Sequence, residues 1–233
     1  MGGKSRLRTV VTWSGAAMGL AAAAYATYVA TAWIRYGHCP EPRAEDADAL
    51  LDRFMKVYEI AERHQVRVAA PADVTFAAAC QLDLMPSPVV RAILKARELV
   101  LGSKPDAAVR PRGLLDLTTS IGWGVLAEVP GREVVVGAAT QPWKANVVFR
   151  ALPPDEFVTF NEPEHVKIVW TLRADAVTAT ESVFRTETRA VATDPAARTK
   201  FRRYWSFLSP GIIVIRWMAL RLLKATAERR APA

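Results

Sequence analysis

Apolar and polar positions alternate with a period of two in three stretches of this chain, and each predicts a β-strand. In Tyr58 to Ala70, Ile60, Glu62, His64, Val66 and Val68 share one face. In His165 to Ala174, Val166, Ile168, Trp170 and Leu172 oppose Lys167, Val169, Thr171 and Arg173. In Glu181 to Ala192, Phe184, Thr186 and Thr188 oppose Arg185, Glu187 and Arg189. That charged row is expected to form a solvated face, paired across strands with Lys167 or Arg173. Gly122 to Val129 and Arg132 to Thr140 read as two strands joined by Pro130-Gly131, a pair suited to a type II turn. Ala145 to Arg150 reads as a further short strand.

Helical spacing appears elsewhere. Leu50, Leu51, Phe54 and Met55 predict a short amphipathic helix over Ala49 to Val57. Pro71-Ala72-Asp73 opens a helix running from Val74 to Leu84, because Pro tolerates a first turn and Asp suits its positive end. Pro86-Ser87-Pro88 separates this from a second helix, Val89 to Leu101, ending at Gly102. Ser103 to Gly113 reads as a loop and Pro153 to Phe160 as a brief helix. Asp194-Pro195 then starts a long apolar and basic helix that reaches Arg230, with Pro210-Gly211 placed where its second half could bend away. Helices grouped at one end of a meandering antiparallel sheet define an α+β fold.

The N-terminus has a different pattern. Thr9 to Ile34 is 26 residues without a charge, about 39 Å at helical rise and enough for a hydrocarbon core of about 30 Å. Trp13 and Trp33 stand near its ends, and Lys4, Arg6 and Arg8 precede it, which favours an inside N-terminus and an extracytoplasmic domain. Two other readings compete: a signal peptide cleaved near Ala30-Thr31-Ala32, and a buried helix of the soluble fold. Gly15 and Gly19 offer a small-residue face for a homodimer. The division expected is an anchor over 1–36, a linker with a short helix over 37–57 and a domain over 58–230.

Composition sharpens this in two ways. Half of the 233 residues are hydrophobic and 23% are charged, which excludes a disordered chain. Arg198 to Arg230 holds nine Lys or Arg and one acidic residue, so the whole net charge of +8 belongs to the C-terminal helix. Those charges are interleaved with Ile, Leu and Trp, which fits anionic lipid better than nucleic acid. Only Cys39 and Cys80 could form a disulfide. The three histidines, His38, His64 and His165, are isolated, so no metal site or cofactor is expected.

Three segments together resemble the START-like, helix-grip superfamily known as SRPBCC, which includes polyketide cyclases, dehydrases and lipid-transport proteins. HQVRVAAPADVTFAAACQLDL is similar to its first strand and helix, and LAEVPGREVVVGAATQPW to a hairpin of an uncharacterised bacterial subgroup. FRTETRAVATDPAARTKFRRYW is similar to its last strand and the opening of its grip helix. The resemblance covers 58–230 and implies a cavity between sheet and helix for a lipid or other hydrophobic small molecule. Residue parity points to the same walls: Val66, Val68, Trp123, Val125, Ile168, Trp170, Leu172 and Phe184 facing Tyr204, Trp205 and Leu208. The same residues could instead pack as a solid core without an open cavity.

For chemistry, Glu62 and His64 form a candidate acid–base pair on the first strand, as a cyclase or dehydrase would need. Asp116 and Glu128 stand as single carboxylates along the sequence, and no serine sits in a Gly-x-Ser-x-Gly frame.

Overall fold

The computed structural model describes residues 3–102 and 113–231, with side chains from Gly19 onward in the first helix. Most of the expected 103–113 loop, Trp13 and Gly15 lie outside those described residues or side chains.

Six antiparallel strands form one sheet in the order β1-β6-β5-β3-β2, with β4 paired to β3. They are β1 (Ile60–Val68), β2 (Gly124–Val129), β3 (Glu133–Thr140), β4 (Phe149–Arg150), β5 (Val166–Ala176) and β6 (Ser182–Ala192). The helices are α1 (Gly3–Arg35), α2 (Ala49–Asp52), α3 (Ala72–Cys80), α4 (Pro88–Leu101), α5 (Leu114–Ser120), α6 (Pro154–Thr159) and α7 (Pro195–Arg230). A long C-terminal helix laid on an antiparallel sheet is the START-like helix-grip architecture. Asp194 explains the transition from β6 to α7: its carboxylate accepts hydrogen bonds from the Ala196 and Ala197 amides, capping the first turn.

Several elements are shorter than their apolar pattern. α2 is a single turn because Arg53 and Phe54 leave the helix, yet Leu51, Phe54 and Met55 still bury their side chains. α3 ends at Cys80, before the expected Leu84, and β4 retains only two residues of Ala145 to Arg150. α5 falls in a stretch assigned to no element from sequence. At the β2–β3 turn Gly131 has φ +72°, which glycine adopts without strain. A bulge between Val125 and Ala127 interrupts the β2–β3 register.

α7 holds the sheet at two places. Near its start, Phe201 and Trp205 pack with Tyr36, Ile60, Val166 and Ala190. Near its end, Leu223 and Ala227 pack with Val68, Phe76, Ala79 and Phe184. The half after Pro210 therefore does not bend away: those end contacts keep it on the fold. Pro210 is absorbed inside one continuous helix.

The opposite sheet face is covered, and the solvated charged row expected there is corrected. Arg189 and Glu187 are only 1% and 5% exposed. Arg189 bonds Glu187 Oε1 at 2.7 Å, Asp52 Oδ1 at 2.5 Å and the Met55 carbonyl at 2.8 Å, and its guanidinium lies 4.7 Å from the Tyr58 ring centroid. The parity is as expected; the chain between α1 and β1 folds over the row and buries it. The cross-strand partners also differ, since Glu187 pairs with Arg63 at 2.9 Å. Lys167 donates to the Phe157 and Val158 carbonyls instead.

α1 is not detached from the domain. Tyr25 donates its hydroxyl to the Phe207 carbonyl at 2.7 Å, and Tyr28 shares a 2.9 Å hydrogen bond with Ser209. Arg202 donates to the Trp33 carbonyl and lies 4.3 Å from its ring centroid. Among the described residues α7 is the helix long and apolar enough to cross a membrane, at the C-terminal rather than the N-terminal end.

Candidate functional site

Between the two places where α7 grips the sheet, the helix stands off from the strands, and Arg216 is the side chain that bridges to them by hydrogen bonds. The space left is a cavity of about 790 Å³, within the usual range for small-molecule sites. Its sheet wall carries Trp123, Ile168, Trp170, Leu172 and Phe184, and its α7 wall carries Tyr204, Trp205 and Leu208. Alternation on β5 and β6 places those strand residues inward, while turns of α7 bring Tyr204, Leu208 and Ile212 to one side. Trp123 and Trp170 meet edge to face with centroids 6.4 Å apart.

Three expected wall residues lie elsewhere. Val68 is 1% exposed and packs, with Val66 beside it, where Leu223 and Ala227 close the end of the sheet against α3. Val125 is 43% exposed on the edge strand, beside the bulge. Other wall residues were not legible from strand parity. Ile93, Leu94, Arg97 and Val100 come from α4, and Tyr25 comes from α1. Their helical periodicity shows an apolar face without showing what it covers.

One charged group enters the cavity wall from α7. Arg216 donates to the Thr188 hydroxyl, and weakly, at 3.5 Å, to the Glu62 carbonyl. Its sequence signal is an Arg in the apolar run GIIVIRWMAL, on the helical face of Ile212, Ala219 and Leu223. Burial lowers its pKa to about 10, with the Glu62 carboxylate acting the other way, so it remains a cation at neutral pH.

The expected acid–base candidates lie beside it. Glu62 Oε2 is 3.7 Å from His64 Nε2, and in the β1–β6 register the two residues face Thr188 and Thr186. Burial raises the Glu62 carboxyl, opposed by Arg216. Burial, then the Arg216 charge, lowers His64 to about 4, so its ring is neutral at pH 7. His64 Nε2 is buried without a hydrogen-bond partner. At that value the imidazole is a weak base, so near neutral pH its open Nε2 offers a hydrogen-bonding position more readily than a proton acceptor.

Among the described residues nothing else forms a comparable site. Cys39 and Cys80 are free thiols, so the possible disulfide is not formed; burial pushes both thiols up, Cys80 to about 11. Among the described residues no cluster of His, Cys, Asp or Glu could hold a metal. On the covered sheet face a polar pocket of about 110 Å³ lies among Arg63, Arg173, Arg185 and Glu187, room for little more than a few waters.

No protein-family model matches this chain, and no curated protein does. Solved structures show distant likeness. The di-domain aromatase/cyclase BexL from the BE-7585A biosynthetic pathway is 15% identical with a TM-score of 0.33; 72% of this chain is aligned, spanning 46% of BexL's length. Norcoclaurine synthase from Thalictrum flavum, solved with dopamine and hydroxybenzaldehyde, is 12% identical over 83% of this chain and 100% of its own, TM-score 0.32. The Zhui aromatase/cyclase from a Streptomyces species is 18% identical over 75% and 96%, TM-score 0.28. At such values the assignment of fold rests on the strand order and the long helix described above.

Proposed function

We propose that the chain is a membrane-attached binding protein for a lipid or other hydrophobic small molecule. The observation that carries this reading is the cavity of about 790 Å³ between sheet and α7, lined almost wholly by apolar side chains. An apolar ligand entering it leaves water and gains roughly 25 cal/mol per Å² of buried surface. A domain packed solid between sheet and helix would have no such space.

Attachment to the membrane is the role proposed for α1. Its last turns, from Tyr25, are engaged with α7. Thr9 to Ala24 leaves sixteen uncharged residues, about 24 Å of helix against a hydrocarbon core of about 30 Å. The difference is made up if α7 also enters the interface, where exposed Phe207, Val214 and Trp217 suit an apolar boundary. The basic residues of α7 then face anionic head groups. The N-terminus lies inside, behind Lys4, Arg6 and Arg8, and the domain outside.

The test is to purify the full chain in mild detergent and identify extracted small molecules by mass spectrometry. A hydrophobic compound at stoichiometric amount is expected, and Ala219→Trp, which fills part of the cavity, should lose it. A clean extract from folded protein, or one unchanged by Ala219→Trp, counts against the reading.

The Glu62–His64 contact supports a second reading, an enzyme of the cyclase or dehydrase kind. It would be favoured if His64→Asn kept the bound compound but stopped its conversion to product.

A further inference from the structure

We propose that the ligand is an amphiphile whose single carboxylate head seats against Arg216. This rests on the reading of the cavity as a hydrophobic binding site.

Arg216 stands in a wall built mainly from apolar side chains such as Ile212, Ile215, Trp170 and Phe184; the other cation of the cavity, Arg97, comes from α4 and is turned to the Tyr204 hydroxyl. A guanidinium has five N–H groups in a planar fork. Here it is engaged by the Thr188 hydroxyl and, weakly, by the Glu62 carbonyl. No carboxylate among the described residues lies within ion-pair distance of it. The described contacts therefore leave donors of Arg216 without an acceptor, in a place where an unpaired charge is costly. A carboxylate offers two acceptor oxygens in the geometry of the fork.

The surroundings set the charge of that head group. Glu62 lies near enough to interact electrostatically with Arg216, so a second carboxylate seated on Arg216 must share that cation with it. Burial already raises the Glu62 carboxyl. A singly charged head is balanced by Arg216 once Glu62 takes a proton, whereas a phosphate with nearly two charges would meet Glu62 with an excess. His64, beside Glu62 on β1, is neutral with its Nε2 unpartnered, and so adds no positive charge near Arg216. The tail of the amphiphile then runs along Trp170, Leu208 and Leu220, the apolar length of the cavity.

The experiment is photo-crosslinking of the full chain, in detergent, with three probes of the same diazirine-bearing sixteen-carbon tail. They end in a carboxylate, an alcohol or a phosphate, and the labelled peptides are mapped by mass spectrometry. The carboxylate probe is expected to label cavity peptides at about 30-fold lower concentration than the alcohol, the lower range for a buried charge-assisted contact. Arg216→Met should bring the carboxylate to the alcohol's level while leaving alcohol labelling in place, which also shows that the variant folds. Arg216→Lys, charged but without the fork, should keep an intermediate preference. Equal labelling by carboxylate and alcohol in the wild type, a phosphate probe that labels at lower concentration than the carboxylate, or a preference that survives in Arg216→Met overturns the head-group assignment. Absence of cavity labelling by all three probes overturns the hydrophobic-site reading beneath it.

Discussion

Arg189 shows how much one buried cation can organise. Its contacts join β6 to Asp52 and the Met55 carbonyl, and so fasten the chain between α1 and β1 onto the sheet. Arg189→Ala would leave Glu187 buried with Arg63 as its remaining cation. A loss of about 3–5 kcal/mol is expected from chemical denaturation, as for other broken buried pairs; a loss under about 1 kcal/mol would show that the row is wet. Glu133, on the same face, gives a pH dependence. Burial, reinforced by the Asp48 carboxylate, pushes it up to about 7 from an ordinary 4.5. Between these values the folded chain holds a proton that the unfolded chain has released, so this group's contribution to stability falls as pH rises from about 4.5 to 7 and is flat above. Glu133→Gln should therefore gain on the wild type across that window, read as the difference in melting midpoint at each pH. No change in the difference, or one of opposite sign, would refute the assignment.

At the scale of elements, what was legible was local. Alternation placed β1, β5 and β6 and their inward faces, because a period of two needs only neighbouring residues. Asp194-Pro195 marked the start of α7 because a cap acts within one turn. The burial of Arg189 was not legible, since it depends on a segment more than 130 positions away folding over it. Nor was the α4 wall, whose apolar face has no partner in its own sequence. Gly211 on α7 marks where α4 comes close: a Cβ added there would stand 2.9 Å from Ile93 Cγ2. Gly211→Ala should therefore displace α4 while raising intrinsic helix propensity by up to about 1 kcal/mol. The expected result is faster release of a bound probe in stopped-flow displacement, with no loss of melting temperature. Unchanged release would mean that the contact relaxes without moving the wall.

For the whole molecule, the positive charge of the C-terminal helix is dispersed among several duties. Arg198 pairs with Glu59, Lys200 with Glu164 and Lys224 with Glu228, while Arg230 donates to Gln81 and Arg216 enters the cavity. The net charge legible in the sequence thus overstates the basic surface left for lipid. Orientation is the sharper whole-chain question. An alkaline phosphatase fused after Arg230 is expected to be active in intact cells, as an inside N-terminus requires, and an inactive fusion of normal abundance would reverse the topology.

The hydroxyl of Tyr25 on the Phe207 carbonyl, with Tyr25 itself lining the cavity, bears on how this protein can be divided. A fragment trimmed to begin after residue 36 loses part of the chamber along with α1. The turns of α7 that Tyr25 and Tyr28 cover, around Phe207 and Ser209, would then lose that cover. Such a fragment would be prone to self-association, and its failure to retain a ligand would describe the amputation and not the protein.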